Sequence, residues 1–249
     1  MSDPVFASAN RGAQLTEHNR RFYDGLWSQS RLIAPERFNT WPLVQQLAAQ
    51  APRRLEIAPG MRPRLPLADT VFVDLSQPAI AALRAQGAQA TLGLVTAIPC
   101  ADACFDFVCA FDIVEHVEDD RQALRELARV AAPGAALLLS VPLHPTHWNA
   151  FDEFVGHRRR YVPAEFAALL RESGFAVERS AVYGMQPKSS WLLDLGAWYL
   201  THKRERAMWW YNRVLPIGVR FQKKLELVDG LIADDNVDEI LLVCRKQAG

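Results

Sequence analysis

The chain has no excess of either charge: 28 lysine and arginine residues stand against 28 aspartate and glutamate residues, for a formal net charge of zero. A dedicated nucleic-acid binder usually carries a basic surplus, so no nucleic-acid partner is expected. No apolar run approaches the ~20 residues that a membrane-spanning helix needs. The run AALLLSVPL, Ala135 to Leu143, is less than half that length. The first residues, MSDPVFASANRGAQ, lack a basic stretch followed by an apolar one, so no signal peptide is expected. Cysteine is scarce. Cys100, Cys104, Cys109 and Cys244 form no CxxC pair, which argues against a zinc site and for reduced thiols in a cytoplasmic protein. No metal ion is expected.

Apolar residues are plentiful, at 50% of the 249 residues, enough for an extensive core. They come in short, nearly continuous runs that read as strands covered on both faces: RRLEIAPG, TVFVDLS, ATLGLV, FDFVCAFD, AALLLSVP, AVERSAVYG and EILLVCRK. Helical patterns lie between them, such as DDRQALRELARVAAPG with Leu124, Leu127 and Val130 at helical spacing and Pro-Gly as its stop. LTEHNRRFYDGLW and WPLVQQLAAQ add two helices ahead of the first strand. Strand and helix alternate, so the expected fold is a doubly wound, Rossmann-like α/β sheet. The expected organisation is a single domain. It has an N-terminal helical cap (1–52), a core (53–183), a helical insertion near the C-terminus (184–237) and a final strand (238–249).

In such sheets ligands bind beyond the carboxyl ends of the strands. Asp74 closes the second strand, where a carboxylate can accept hydrogen bonds from a ribose diol or can cap a helix. The turn after the first strand, Ala58-Pro59-Gly60-Met61-Arg62-Pro63, has one glycine where a dinucleotide loop has three. Pro63 and Pro66 also interrupt the helix that should follow. This disfavours NAD and leaves room for a smaller, zwitterionic nucleoside.

Here the chain resembles a known family. LEIAPG, VFVDLS, AIPCADACFDFVCAFDIVEHVEDDRQALRELARVAAPGAALLLSVP and RRYVPAEFAALLRESGF are similar to successive motifs of class I S-adenosylmethionine-dependent methyltransferases. The resemblance is to the small-molecule branch that includes the quinone methyltransferases. It implies a seven-stranded sheet with its last strand antiparallel and S-adenosyl-L-methionine as cofactor. It implies that Glu56, Ala58 and Gly60 shape the pocket for the methionine part, that Asp74 and Leu75 meet the ribose, and that Phe111 and Asp112 flank the sulfonium. Two features depart from the pattern. Only thirteen residues separate Gly60 from Asp74, and Leu94 stands where an acid often holds the adenine amino group. Adenine is then expected against Thr96, Ala97 and Ile98.

A phenolic acceptor, with a pKa near ~10, would gain from a nearby imidazole base. His116 follows the fourth strand, and His157 lies in the stretch PLHPTHWNAFDEFVGHRRRY. Either could be the base. His116 could instead be a helix-start residue, and His157 a structural partner of Asp152 or Glu153. His144, Trp148, Tyr161 and Trp191 are candidates for contact with the acceptor. Between Thr201 and Leu227 seven basic residues face two acidic ones, with Trp209, Trp210 and Tyr211 interleaved. That mixture suits an anionic lipid surface or an acidic carrier protein, or it closes the active site as a cap. The expected activity is O-methylation of a hydrophobic aromatic, polyketide-like or lipid-like small molecule in the cytoplasm, peripheral at a membrane. The alternative is a catalytically impaired, methyltransferase-like binding protein in a biosynthetic complex.

Overall fold

Each short apolar run becomes a strand because both faces of the sheet are covered. The structure, a computed structural model, describes residues 17, 19–184, 198, 199, 202–232 and 236–248. A first helix, α1 (residues 19–27), is followed by α2 (Trp41–Ala48). The core then runs β1 (Arg54–Ile57), β2 (Thr70–Asp74), α3 (Gln77–Ala85), β3 (Gln89–Leu92), β4 (Phe105–Phe111), α4 (Asp120–Val130) and β5 (Ala131–Pro142). It continues through α5 (Ala150–Val155), α6 (Pro163–Glu172), β6 (Phe175–Tyr183), α7 (Arg204–Gly218), β7 (Val228–Asp229) and β8 (Glu239–Lys246).

The strands order as β3-β2-β1-β4-β5-β8-β6-β7. Pairings from β3 through β5 are parallel, and β8 is antiparallel to both β5 and β6. The order reverses between β1 and β4, and the crevice at that switch point is where such sheets bind ligands. The expected seven strands are therefore joined by an eighth. Val228 and Asp229 pair antiparallel with Ser180 and Arg179 on the free edge of β6. Two exposed residues carry no periodicity, so this strand leaves no trace in the sequence.

β5 shows how the alternation works. Leu137, Leu139 and Val141 point to one face, where they meet Leu124 and Leu127 of α4 and Phe166 and Leu170 of α6. Ala136 and Leu138 point to the other, against Leu43 and Val44 of α2. α4 starts where Asp119 accepts the Gln122 N–H at 2.8 Å. Its Arg129 donates to the carbonyls of Ile98 and Cys100, at 2.9 and 2.8 Å, which fixes the loop after β3.

β1 and β2 are joined without a helix, in keeping with the shortened spacing and the two prolines. The segment just past α1 is clasped to α7. Asn212 accepts from the Arg31 N–H at 2.9 Å and donates to the Gln29 carbonyl at 2.7 Å.

Leu138 has no exposed surface and sits in the strand flanked by β4 and β8. Leu138→Ala should destabilise the protein by about 2–5 kcal/mol, through lost burial and the cavity left behind. Urea unfolding checks this, and a loss below about 1 kcal/mol would show that the sheet does not pack this way.

Candidate active site

A cavity of about 400 Å³ opens at the carboxyl ends of β1, β2 and β4. Its floor is built from strand ends: Glu56, Ile57, Ala58 and Pro59 from β1, Val73, Asp74 and Leu75 from β2, and Phe111, Asp112 and Ile113 from β4. The β3–β4 loop adds Leu94, Val95 and Thr96. The roof comes from outside the core. α1 supplies Asn19, Tyr23 and Trp27, and α7 supplies Tyr211 and Leu215.

Two buried carboxylates hold the turn that replaces the missing helix. Glu56 accepts the N–H groups of Arg64 and Leu65 at 2.8–3.0 Å. Asp74 accepts the N–H of Gly60 at 2.9 Å on one oxygen and that of Ser76 at 2.7 Å on the other. Burial raises both acids, Glu56 to about 7 and Asp74 to about 6, against the pull of those backbone donors. Gly60 itself lies behind the cavity wall, packed on Trp27. Its φ is +53°, and a Cβ there would stand 2.6 Å from the indole.

Beyond β4, a 3₁₀ turn over Val114–His116 presents Glu115 and His116. His116 is 8% exposed; its Nδ1 donates to the Gly156 carbonyl at 3.2 Å, which leaves Nε2 facing Tyr23 Oη at 3.4 Å. A carbonyl only accepts, so the Nδ1 tautomer follows. Burial and the neighbouring His157 push His116 down to about 3, so it is neutral at physiological pH. His157 is held through Nδ1 by Asp152 at 2.7 Å, and its ring centroid lies 4.7 Å from that of His116. Asp152 in turn pairs with Arg160 at 3.0 Å. Burial and Asp112 drive Glu115 well above the carboxylate range. Burial and Asp112 do the same to Glu239 at the start of β8.

The cavity brings together nine of the residues singled out from the sequence: Glu56, Ala58, Asp74, Leu75, Thr96, Phe111, Asp112, His116 and His157. Others lie off it. Ala97 closes a small bridge with Leu94, and Ile98 is in the core with its N–H donated to Glu126 at 2.8 Å. Tyr161 is also buried in the core, and its hydroxyl donates to Asp120 at 3.2 Å. His144 packs on His147, and Trp148 is exposed beside Glu153. Trp191 falls outside the described residues. The sequence left Tyr23, Trp27, Glu115, Tyr183 and Glu239 unassigned, although all line the cavity, as does Tyr211 from the stretch read as a possible cap. Only Glu115 had a signal, its place beside His116 after β4.

The lining fits S-adenosylmethionine. Carboxylates at the ends of three neighbouring strands suit a cationic ligand with a diol, and Leu75, Leu94 and Val95 offer an apolar surface for a base. Comparisons with known proteins agree. Residues 56–139 match the family described as "Methyltransferase domain". A protein of Mycolicibacterium smegmatis (strain ATCC 700084 / mc(2)155) named "Probable S-adenosylmethionine-dependent methyltransferase" is 32% identical over 112 residues, 43% of this chain and 44% of that protein. O-methyltransferase resE of Aspergillus sclerotiorum is 36% identical over 88 residues, 32% of this chain and 33% of its own length. The chain thus spans less than half the length of these relatives. In structure it is similar to a SAM-dependent methyltransferase of Thermotoga maritima, with a TM-score of 0.55, 17% identity, and coverage of 84% of this chain and 93% of that one. That likeness shows the fold.

Gly60→Ala should cost stability on two counts, about 1–2 kcal/mol for a left-handed alanine and more for the clash with Trp27. In a Trp27→Ala background the second share should vanish, a difference that a double-mutant cycle followed by denaturant unfolding will read. Equal costs in both backgrounds would show that the indole does not pack on Gly60. Residues 56–139 carry the match to the methyltransferase domain family, and they supply the β1, β2 and β4 ends that line the cavity.

Proposed function

We propose that this protein transfers the methyl group of S-adenosylmethionine to an oxygen of a hydrophobic, hydroxylated small molecule. The observation that carries this is the pair of imidazoles, His116 and His157, each held through Nδ1 on the wall of the cavity that holds Glu56, Asp74 and Asp112. The cofactor supplies an already activated methyl group, so the chain's task is alignment and exclusion of water. Glu56 and Asp112 face the cationic groups, and Asp74 faces the ribose hydroxyls. Tyr23, Trp27, Tyr211 and Leu215 form the apolar roof under which the acceptor lies. His116 or His157 takes the acceptor's proton through Nε2, since Nδ1 of each is already committed to Gly156 or Asp152.

The acceptor reaches the cavity past α7. On that helix and the turn after it Trp209, Trp210, Ile217 and Phe221 are exposed, with Phe221 at 80%. Lys203, Arg206, Arg213, Lys223 and Lys224 surround them. Aromatic and basic side chains together suit an anionic lipid surface or an acidic carrier as the source of a lipid-like acceptor. Among the described residues no helix is long and apolar enough to cross a membrane. All four cysteines are free thiols, which suits the cytoplasm.

Calorimetric titration with S-adenosylmethionine should show micromolar binding that Asp74→Ala abolishes. Glu56, raised to about 7, must lose its proton to face the cofactor's ammonium group. Affinity should therefore be full at pH 8 and fall about tenfold by pH 6. Absence of binding by the native protein would favour the alternative, a methyltransferase-like binding protein. Replacing the true base by alanine should slow turnover at saturating cofactor at least tenfold, or ~1.4 kcal/mol of barrier. If His116→Ala and His157→Ala both leave turnover intact, neither is the base.

A further inference from the structure

We infer that Glu115, His116 and His157 form a binding site for one divalent transition-metal ion, of which zinc is the best match. Each of the three offers one ligand atom, and those atoms lie within 4.8 Å of one another. All three residues line the cavity. Two imidazoles and one carboxylate are a common ligand set for catalytic zinc and non-haem iron, in which the remaining positions stay open to water or substrate.

The carboxylate of Glu115 carries the argument. The residue has no exposed surface, and neither of its side-chain oxygens has a hydrogen-bond partner. A buried carboxyl group with both oxygens left without a hydrogen-bond partner is costly, so an unmet partner is the expected explanation. His157 Nε2 stands 3.7 Å from Glu115 Oε1. At that distance the two atoms are too far apart for a hydrogen bond and close enough to share one ion. Ligand atoms about 2.1 Å from a tetrahedral zinc stand about 3.4 Å apart, close to that separation.

The outer contacts have the form that metal-bound histidines show. Such an imidazole donates its other N–H to a carbonyl or carboxylate, which fixes the tautomer and frees the second nitrogen for the ion. His116 donates to the Gly156 carbonyl and His157 to Asp152, and Asp152 is braced by Arg160. Both Nε2 atoms are left for coordination, with Tyr23 Oη 3.4 Å from that of His116. As ligands, the two histidines would position and acidify an acceptor oxygen bound to the ion instead of taking its proton directly. Binding of the ion does not depend on the cofactor reading.

The test uses the full chain, stripped with a chelator and titrated with Co²⁺ while its visible absorption is followed. One equivalent should give a d–d band that Zn²⁺ abolishes and excess Mg²⁺ does not. Glu115→Gln and His157→Gln should each weaken Co²⁺ binding at least tenfold, with melting curves reporting that they fold. Asp74→Ala should lose S-adenosylhomocysteine yet keep Co²⁺, so that metal site and cofactor site stand or fall separately. Absence of stoichiometric Co²⁺ binding by the native protein would overturn the inference, and would mean that a proton alone links His157 to Glu115. A strong near-ultraviolet thiolate band would overturn it too, by placing the ion at Cys100 or Cys104. So would undiminished binding in both folded variants.

Discussion

Two buried carboxylates take over the work of a helix. In a doubly wound sheet the helix after the first strand sets both the packing of that strand and the direction of the turn. This chain has no such helix. Glu56 instead gathers the N–H groups of Arg64 and Leu65, and Asp74 gathers those of Gly60 and Ser76. These bonds place the turn against β1 and β2 and keep Ala58 and Pro59 on the cavity. Everything at the switch point depends on them, because the prolines leave the backbone few other donors. The same carboxylates stand on the cavity floor, so structure and ligand compete for their lone pairs.

Trp27 compensates for the thinned glycine loop in a different way. A glycine-rich loop lets a ligand approach the backbone closely. Here the indole takes that place over Gly60, and the N-terminal helix becomes part of the floor's support as well as of the roof. Arg62 and Arg64 extend from the same turn. Arg64 packs on Phe38 at 3.7 Å from the ring centroid and donates to Tyr183 at 3.1 Å, tying the turn to β6. Aromatic and cationic packing thus replaces backbone regularity.

The fold was legible because its signals are local and repetitive. β4 and β5 are long apolar runs, α4 carries a clear apolar stripe with Asp119 as cap, and the order of elements follows from alternation. The cavity floor was legible for the same reason, since strand ends can be counted. The roof was not. Tyr23 and Tyr211 reach the cavity from opposite ends of the chain, and no spacing rule links residues so far apart. Tyr161 misled because it lies close to His157 in sequence, while the turn at Val162–Pro163 sends it into the core beside Phe166 at 4.3 Å between rings. Glu115 was overlooked because a glutamate after a strand usually meets water, and only burial makes it unusual.

The clasp between α7 and the segment after α1 is a long-range one. Asn212 of α7 bonds to Gln29 and Arg31, just past α1, and both helices cover the same cavity. Beside the two hydrogen bonds, Leu215 and Val219 pack with Ile33 and Phe38, so the join links segments almost two hundred residues apart in the chain. Closing so long a loop carries an entropy cost that local contacts do not, and the roof meets it with two hydrogen bonds and a small apolar cluster.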